Sequence, residues 1–213
     1  MCDKFNVMTT TINICVFGDS IAYGAWDGRG GWVDRLRAHL HSVTLRSHFQ
    51  SYYFLYPLGI PGNTAADVLA RLSHEAAARE PHIIIFAVGI NDARWQEPGR
   101  IPHVTEAAFR KNIAELIAAA RRFTSRIIFI GLTPVDESKT MPFEPDCAFE
   151  NARIRSFDAI LRELTADADV LFLDVSAALS PSADLEDGLH PNSAGHEKLF
   201  ALVRDFLTEH APL

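Results

Sequence analysis

Residues 82–92 read HIIIFAVGIND, and this stretch decides the fold. From His82 to Val88 the chain is apolar almost without interruption and rich in β-branched isoleucine. A run that short and that uniformly apolar reads as a strand covered on both faces, the pattern of a parallel sheet between helices. Polar residues follow at once, Gly89-Ile90-Asn91-Asp92, where such a strand would end. Ile12–Phe17 and Arg126–Leu132 have the same character; Tyr52–Leu58, which carries Pro57, and Val170–Leu173 complete a set of predicted strands.

Helical spacing fills the intervals between these runs. Trp32, Val33, Leu36 and Leu40 recur on one helix face, as do Val68, Leu69 and Leu72, and Phe109, Ile113, Leu116 and Ile117. Asn151–Leu164 and Ala194–Leu207 add two more helices, and Thr64-Ala65-Ala66-Asp67 has the form of a capping box. Regular alternation of strand and helix, with right-handed crossovers, predicts an α/β fold: one three-layer, doubly wound domain around a mainly five-stranded parallel sheet. That domain spans 12–213, and residues 1–11 read as a loosely ordered N-terminal extension.

Composition narrows the function. A hydrophobic fraction of 48% and a charged fraction of 22% are those of an ordinary globular chain, which excludes disorder and fibrous repeats. The formal charge of -7 argues against a nucleic-acid partner, because phosphate contacts need clustered Lys and Arg. Three cysteines without a Cys-x-x-Cys pair suggest neither a disulfide scaffold nor a zinc site, and Cys15 and Cys147 read as ordinary thiols. The opening MCDKFNVMTTT has no apolar signal-peptide core, and no stretch approaches the roughly 20 apolar residues of a membrane helix. A cytoplasmic protein without stable membrane insertion is expected; the oligomeric state stays open.

In a doubly wound sheet, ligands bind beyond the carboxyl ends of the strands. Gly18-Asp19-Ser20 follows the first strand, Gly59-Ile60-Pro61-Gly62-Asn63 the second, and Gly89-Ile90-Asn91-Asp92 the third. Asp187-Gly188-Leu189-His190-Pro191 follows the fifth after a longer gap. A serine hydroxyl becomes a nucleophile only beside a base, and an imidazole can accept and return a proton near neutral pH. Ser20 and His190 therefore form a nucleophile–base pair, with Asp187 placed to hold the ring tautomer. Ser20 N–H, Gly62 N–H and the Asn91 side-chain amide could stabilise an oxyanion.

These four blocks closely resemble the SGNH hydrolases, the GDSL-type esterase and lipase family, in order and in placement after strands. The resemblance runs from Phe17 to Pro191 and implies a flavodoxin-like fold and a serine esterase that uses no metal or organic cofactor on a small-molecule ester. It also implies the nucleophile at Ser20, the oxyanion residues at Gly62 and Asn91, and the remaining triad members at Asp187 and His190. Ile21 stands where the family carries leucine, and Gly59 competes with Gly62, which directly precedes the helix cap. A carbohydrate deacetylase, thioesterase or lysophospholipase would share this rim; a non-catalytic ligand-binding module on the same fold is the rival of another class.

Plainer readings exist for each residue. Ser20 and Asn91 could be simple caps, Asp184 or Glu186 could replace Asp187, and Asp19 and Asp92 read as hydrogen-bonders within their turns. His39, His41, His48, His74 and His196 lie in polar helical contexts and read as solvated. The glycines around Gly24–Gly31 lack the Gly-Lys-Ser/Thr of a phosphate loop. Trp26, Trp95, Met141 and Phe143 are candidate walls of the substrate cleft, with local packing as the alternative for both tryptophans. The segment Thr133–Pro145 is too short for a helical lipase lid. Short acyl esters, acetyl to butyryl, are the expected substrates.

Overall fold

The computed structural model describes residues 9–210. In chain order it contains β1 (Thr10–Gly18), α1 (Ser20–Tyr23), α2 (Gly31–Arg46), β2 (Ser51–Gly59), α3 (Ala65–Ala77), β3 (Ile83–Ala87), β4 (Trp95–Gln96) and β5 (Ile101–Pro102). There follow α4 (Glu106–Ala120), β6 (Ile127–Ile130), α5 (Glu137–Thr140), β7 (Cys147–Ala148), α6 (Asn151–Asp167), β8 (Leu171–Leu173), α7 (Pro181–Asp184) and α8 (Ser193–His210). Most of the expected extension, including Cys2, lies outside the described residues, while Thr10 and Thr11 already belong to β1.

The central sheet is wholly parallel, in the order β2-β1-β3-β6-β8. The chain steps from β1 outward to β2, returns across to β3, and then continues to β6 and β8. Right-handed crossovers put helices on opposite faces when the direction reverses. Accordingly α2 packs with α8, while α3 packs with α4 and α4 with α6. The reversal opens a crevice between the carboxyl ends of β1 and β3, the place where such sheets bind ligands.

Burial explains why the deciding stretch is uniformly apolar. Successive strand residues point to opposite faces, and Ile83, Ile84, Ile85 and Phe86 are all inaccessible. Phe86 contacts Phe17 of β1 at 5.9 Å and Phe129 of β6 at 4.8 Å between ring centroids, tying three strands together. Pro57 is tolerated because β2 is an edge strand, where a missing N–H breaks no ladder. At the other end of this edge the Tyr53 N–H donates to Thr44 Oγ1 at 3.3 Å. The capping box at the start of α3 is present, with Thr64 and Asp67 bonded reciprocally.

A second, antiparallel sheet of three two-residue strands, in the order β5-β4-β7, lies outside the predicted set. Two residues are too few to show a period, so the sequence carries no signal for it. Cys147, read as an ordinary thiol, lies in β7 just ahead of α6 and is buried.

Candidate active site

Ser20 sits where β1 turns into α1, with the Asp19 side chain accepting from the Ile21 N–H at 2.9 Å as the helix cap. The turn leaves Ser20 Oγ 2.9 Å from His190 Nε2. His190 belongs to the loop before α8, which a bridge between Leu185 and Pro191 pins. Its Nδ1 lies 2.7 Å from Asp187 Oδ2, so the ring donates there and presents Nε2 as the acceptor for the serine hydroxyl. Asp187 Oδ1 also accepts the N–H of His190 at 2.8 Å and of Leu189 at 3.0 Å.

Burial works against ionisation of Asp187, but the His190 ring and these N–H groups outweigh it and hold the carboxyl well below the usual range. The neighbouring acids are elsewhere engaged or absent from this contact: Asp184 pairs with Lys198 at 2.6 Å and accepts the Ser180 N–H at 2.7 Å. Ser20, His190 and Asp187 thus form one connected hydrogen-bonded line from two chain segments, the turn after β1 and the loop before α8.

The two loops facing this line follow β2 and β3. A Cβ on Gly59 would stand 2.5 Å from the Tyr23 nitrogen, so Gly59 lets β2 approach α1. Gly62 differs: its φ of 81° favours glycine, and space is open around it where it lines the cavity at Ser20. Asn91 Nδ2 donates to Asn63 O at 3.0 Å, which fixes the side-chain amide and keeps its second N–H for another acceptor. Below them, buried Asp92 accepts the Ala65 N–H through both oxygens, at 2.9 and 3.2 Å, and anchors α3 beside Gly62.

The cavity is about 350 Å³, with Ser20, Trp26, Gly62, Asn91, Phe143 and His190 among its walls. Of the four expected wall residues, Trp26 and Phe143 are therefore at the cavity. Trp95 is not: its indole donates to Glu150 at 3.0 Å, and its ring meets the guanidinium groups of Arg153 and, within its own loop, Arg100. Met141 lines a separate cavity with Pro98, Pro142 and Ala148 across the small sheet. Trp26 does more than line the wall, because its Nε1–H donates to Asp187 Oδ2 at 2.9 Å.

The Phe17–Pro191 blocks fall within a family match: residues 16–198 fit the model of the GDSL-like Lipase/Acylhydrolase family. The chain belongs to this family. An acetylxylan esterase of Geobacillus stearothermophilus is 25% identical over 162 residues, covering 71% of this chain and 69% of that one. A lipase/acylhydrolase structure from Enterococcus faecalis superposes with a TM-score of 0.72 at 25% identity, covering 92% of this chain and 95% of its own. An α/β hydrolase from the metagenome of Lake Arreo, Spain, shares the fold with a TM-score of 0.73, at 22% identity over 97% of this chain and 98% of that one. As a GDSL-like acylhydrolase, the chain is a carboxylic ester hydrolase acting on a small-molecule ester. Among the described residues, no helix is long and apolar enough to cross a membrane.

Several features of this acylhydrolase lie beyond the sequence reading. His196, read as solvated, is fully buried and accepts the Trp32 N–H on Nδ1 at 3.3 Å. Burial pushes its pKa down to about 4. Its spacing to Leu199, Val203 and Leu207 on the buried face of α8 was the available signal. Asp19 and Asp92 are hydrogen-bonders as expected, yet burial pushes their carboxyls up to about 6 and about 7. Tyr23, Arg94, Glu144 and Phe149 also line the cavity and were not singled out. Glu144, Asp146 and Cys147 bring possible ligand atoms within 4.8 Å of one another, but burial raises the Cys147 thiol, and a protonated thiol is a poor metal ligand.

Proposed function

We propose that this enzyme hydrolyses short acyl esters by nucleophilic catalysis from Ser20. The Ser20 oxygen attacks the acyl carbon as His190 Nε2 takes the hydroxyl proton. Charge gathers on the former carbonyl oxygen, where Ser20 N–H, Gly62 N–H and Asn91 Nδ2–H are its donors. Collapse breaks the bond to the alcohol, which leaves with the proton from His190. Water then attacks the acyl-enzyme by the same route, with His190 as base, releasing the acid and restoring Ser20. Asp187 holds the imidazole in the tautomer that exposes Nε2 as an acceptor. No step calls for a metal or organic cofactor.

One observation carries this reading: the continuous 2.9 Å and 2.7 Å contacts from Ser20 through His190 to Asp187. A solvated serine cap would have no reason to meet a histidine already oriented by a carboxylate. Phe143 and Trp26 beside the nucleophile favour a small acyl group, and the free thiols of Cys15 and Cys147 are consistent with a cytoplasmic setting.

The test joins fluorophosphonate labelling to a panel of p-nitrophenyl esters from acetate to palmitate. Labelling should map to Ser20, turnover should peak between acetate and butyrate, and Ser20→Ala should abolish both while keeping the fold. Labelling at another residue, or a rate that climbs steadily toward palmitate, would overturn the proposal. A second reading, removal of acetyl groups from a carbohydrate, is favoured by the exposed rings of Tyr23 and Trp26 at the cavity rim, which could stack on a sugar face. Acetylated xylo-oligosaccharides in the same panel separate the two.

A further inference from the structure

Arg94 lines the cavity that holds Ser20, three residues beyond Asn91 and bonded to it through its own N–H, which donates to Asn91 O at 3.3 Å. Its guanidinium has an unusual set of neighbours. Nη2 lies 3.2 and 3.1 Å from the two ring nitrogens of His103, and among the described residues no carboxylate oxygen stands within 4 Å. Nε is buried and has no hydrogen-bond partner among the described residues.

Other partly buried arginines are matched differently. Arg35 is paired with Asp27 and Glu197, Arg71 with Glu75, and Arg153 donates to the carbonyls of Ala93 and Val104. Burial, followed by the charge of Arg94 itself, holds His103 below the usual imidazole range, so the ring offers Arg94 a neutral acceptor and no counter-charge. A guanidinium removed from water without a counter-ion is costly, and a planar carboxylate is its best-matched partner because two donors can engage two oxygens. Glu144 is the opposing charge on the cavity wall; it is exposed, hence hydrated, and does not reach Arg94.

We propose that Arg94 binds a carboxylate carried by the ester substrate, so that esters bearing an anionic group close to the scissile bond are preferred over neutral esters of equal size. The inference rests on the ester-hydrolase reading of the cavity and adds the substrate's charge to it. Arg94 sets specificity; the bond-making step remains that of Ser20 and His190.

The experiment compares matched pairs. On the acyl side, p-nitrophenyl hemiglutarate is set against p-nitrophenyl valerate; on the alcohol side, 3-carboxyphenyl acetate against 3-methylphenyl acetate. In at least one pair the wild type should favour the anionic ester about 10- to 100-fold in kcat/KM, the range of a charge-assisted hydrogen-bond pair. Arg94→Gln should bring that ratio near unity, Arg94→Lys should retain part of it, and added salt should lower it in the wild type. Ratios at or below unity in both pairs, or a preference that survives Arg94→Gln, would overturn the proposal.

Calorimetric titration with glutarate provides a readout independent of turnover and of the variants' kinetics. The wild type should bind it, and a correctly folded Arg94→Gln should not. If no ester is turned over and Ser20 takes no label, the hydrolase reading fails while this titration still decides the Arg94 site. Absence of glutarate binding by the wild type counts against Arg94 alone when neutral esters are hydrolysed normally.

Discussion

Replacing Asp92 with asparagine should stabilise the protein at neutral and alkaline pH, against the usual expectation for a buried acid at a helix start. Asp92 is fully buried, and that burial pushes its carboxyl from 3.8 up to about 7, even though the Ala65 N–H favours the anion. The group is therefore protonated in the folded protein over a range where the unfolded chain has already released its proton. Its contribution to stability is complete below pH 3.8 and is lost as pH rises through 7. Three pKa units at 1.36 kcal/mol each amount to about 4 kcal/mol lost by pH 8.

An asparagine stays neutral throughout, and its carbonyl can still accept the Ala65 N–H. Asp92→Asn should match the wild type near pH 4 and exceed it by up to about 4 kcal/mol at pH 8, roughly 8–16 °C in Tm for a chain of this size. Urea titrations and thermal melts of both proteins from pH 4 to 8 provide the comparison. A residual slope belongs to Asp19, whose carboxyl burial pushes up to about 6 and whose charge repels that of Asp92. Equal destabilisation of the variant at every pH would refute this reasoning, because it would mean that Asp92 is ionised and anchors α3 through its charge.

Three further substitutions probe the site and its support. Asn91→Ala should lower kcat by roughly 10²–10³ with little change in KM, the pattern of a donor that acts on the oxyanion; a loss confined to KM would give Asn91 a ground-state role. Trp26→Phe removes the 2.9 Å bond to Asp187 while keeping an aromatic ring, and should cost about 3- to 10-fold in kcat, since one hydrogen bond is worth about 0.5–1.5 kcal/mol net. Steady-state rates indistinguishable from wild type would make that contact incidental. His196, pushed from 6.5 down to about 4, resists protonation in the fold while the unfolded chain accepts a proton, so its contribution is present above pH 6.5 and lost as pH falls toward 4. His196→Asn, which can keep an acceptor for the Trp32 N–H, should be the more stable protein at pH 4 relative to its own stability at pH 7, by up to about 3 kcal/mol; parallel pH–stability curves would contradict this.

The central sheet was legible because its strands are buried on both sides, and a run such as Ile83–Phe86 leaves a mark that needs no partner to be recognised. The start of α3 was legible for a similar reason: Thr64 and Asp67 satisfy one another locally. Residue type and strand order also brought Ser20, Gly62, Asn91 and His190 to one rim, because a parallel sheet gathers every strand's carboxyl end on the same side. What stayed hidden depends on segments distant in sequence. The short strands of the small sheet exist only through pairing, and Trp95 reaches Glu150 and Arg153 across more than 50 residues.

The same distinction separates the chemistry from its selectivity. Asp187 and His190 lie three residues apart, and a turn suffices to make their contact; the fold need only deliver Ser20 from 170 residues away. The proposed selectivity rests on groups that no local pattern marks. Trp26 meets Asp187 over 161 residues, Phe143 comes from the segment between β6 and β7, and Arg94 enters the proposal because, among the described residues, no carboxylate oxygen stands within 4 Å of it. The proposed serine-nucleophile rim can therefore be read from four short blocks, whereas the proposed substrate preference depends on the walls. Testing the charge preference at Arg94 beside the acyl-length preference at Trp26 and Phe143 addresses the part of this enzyme that its motifs leave undetermined, because a family shares the rim while each member can build different walls on the same strands.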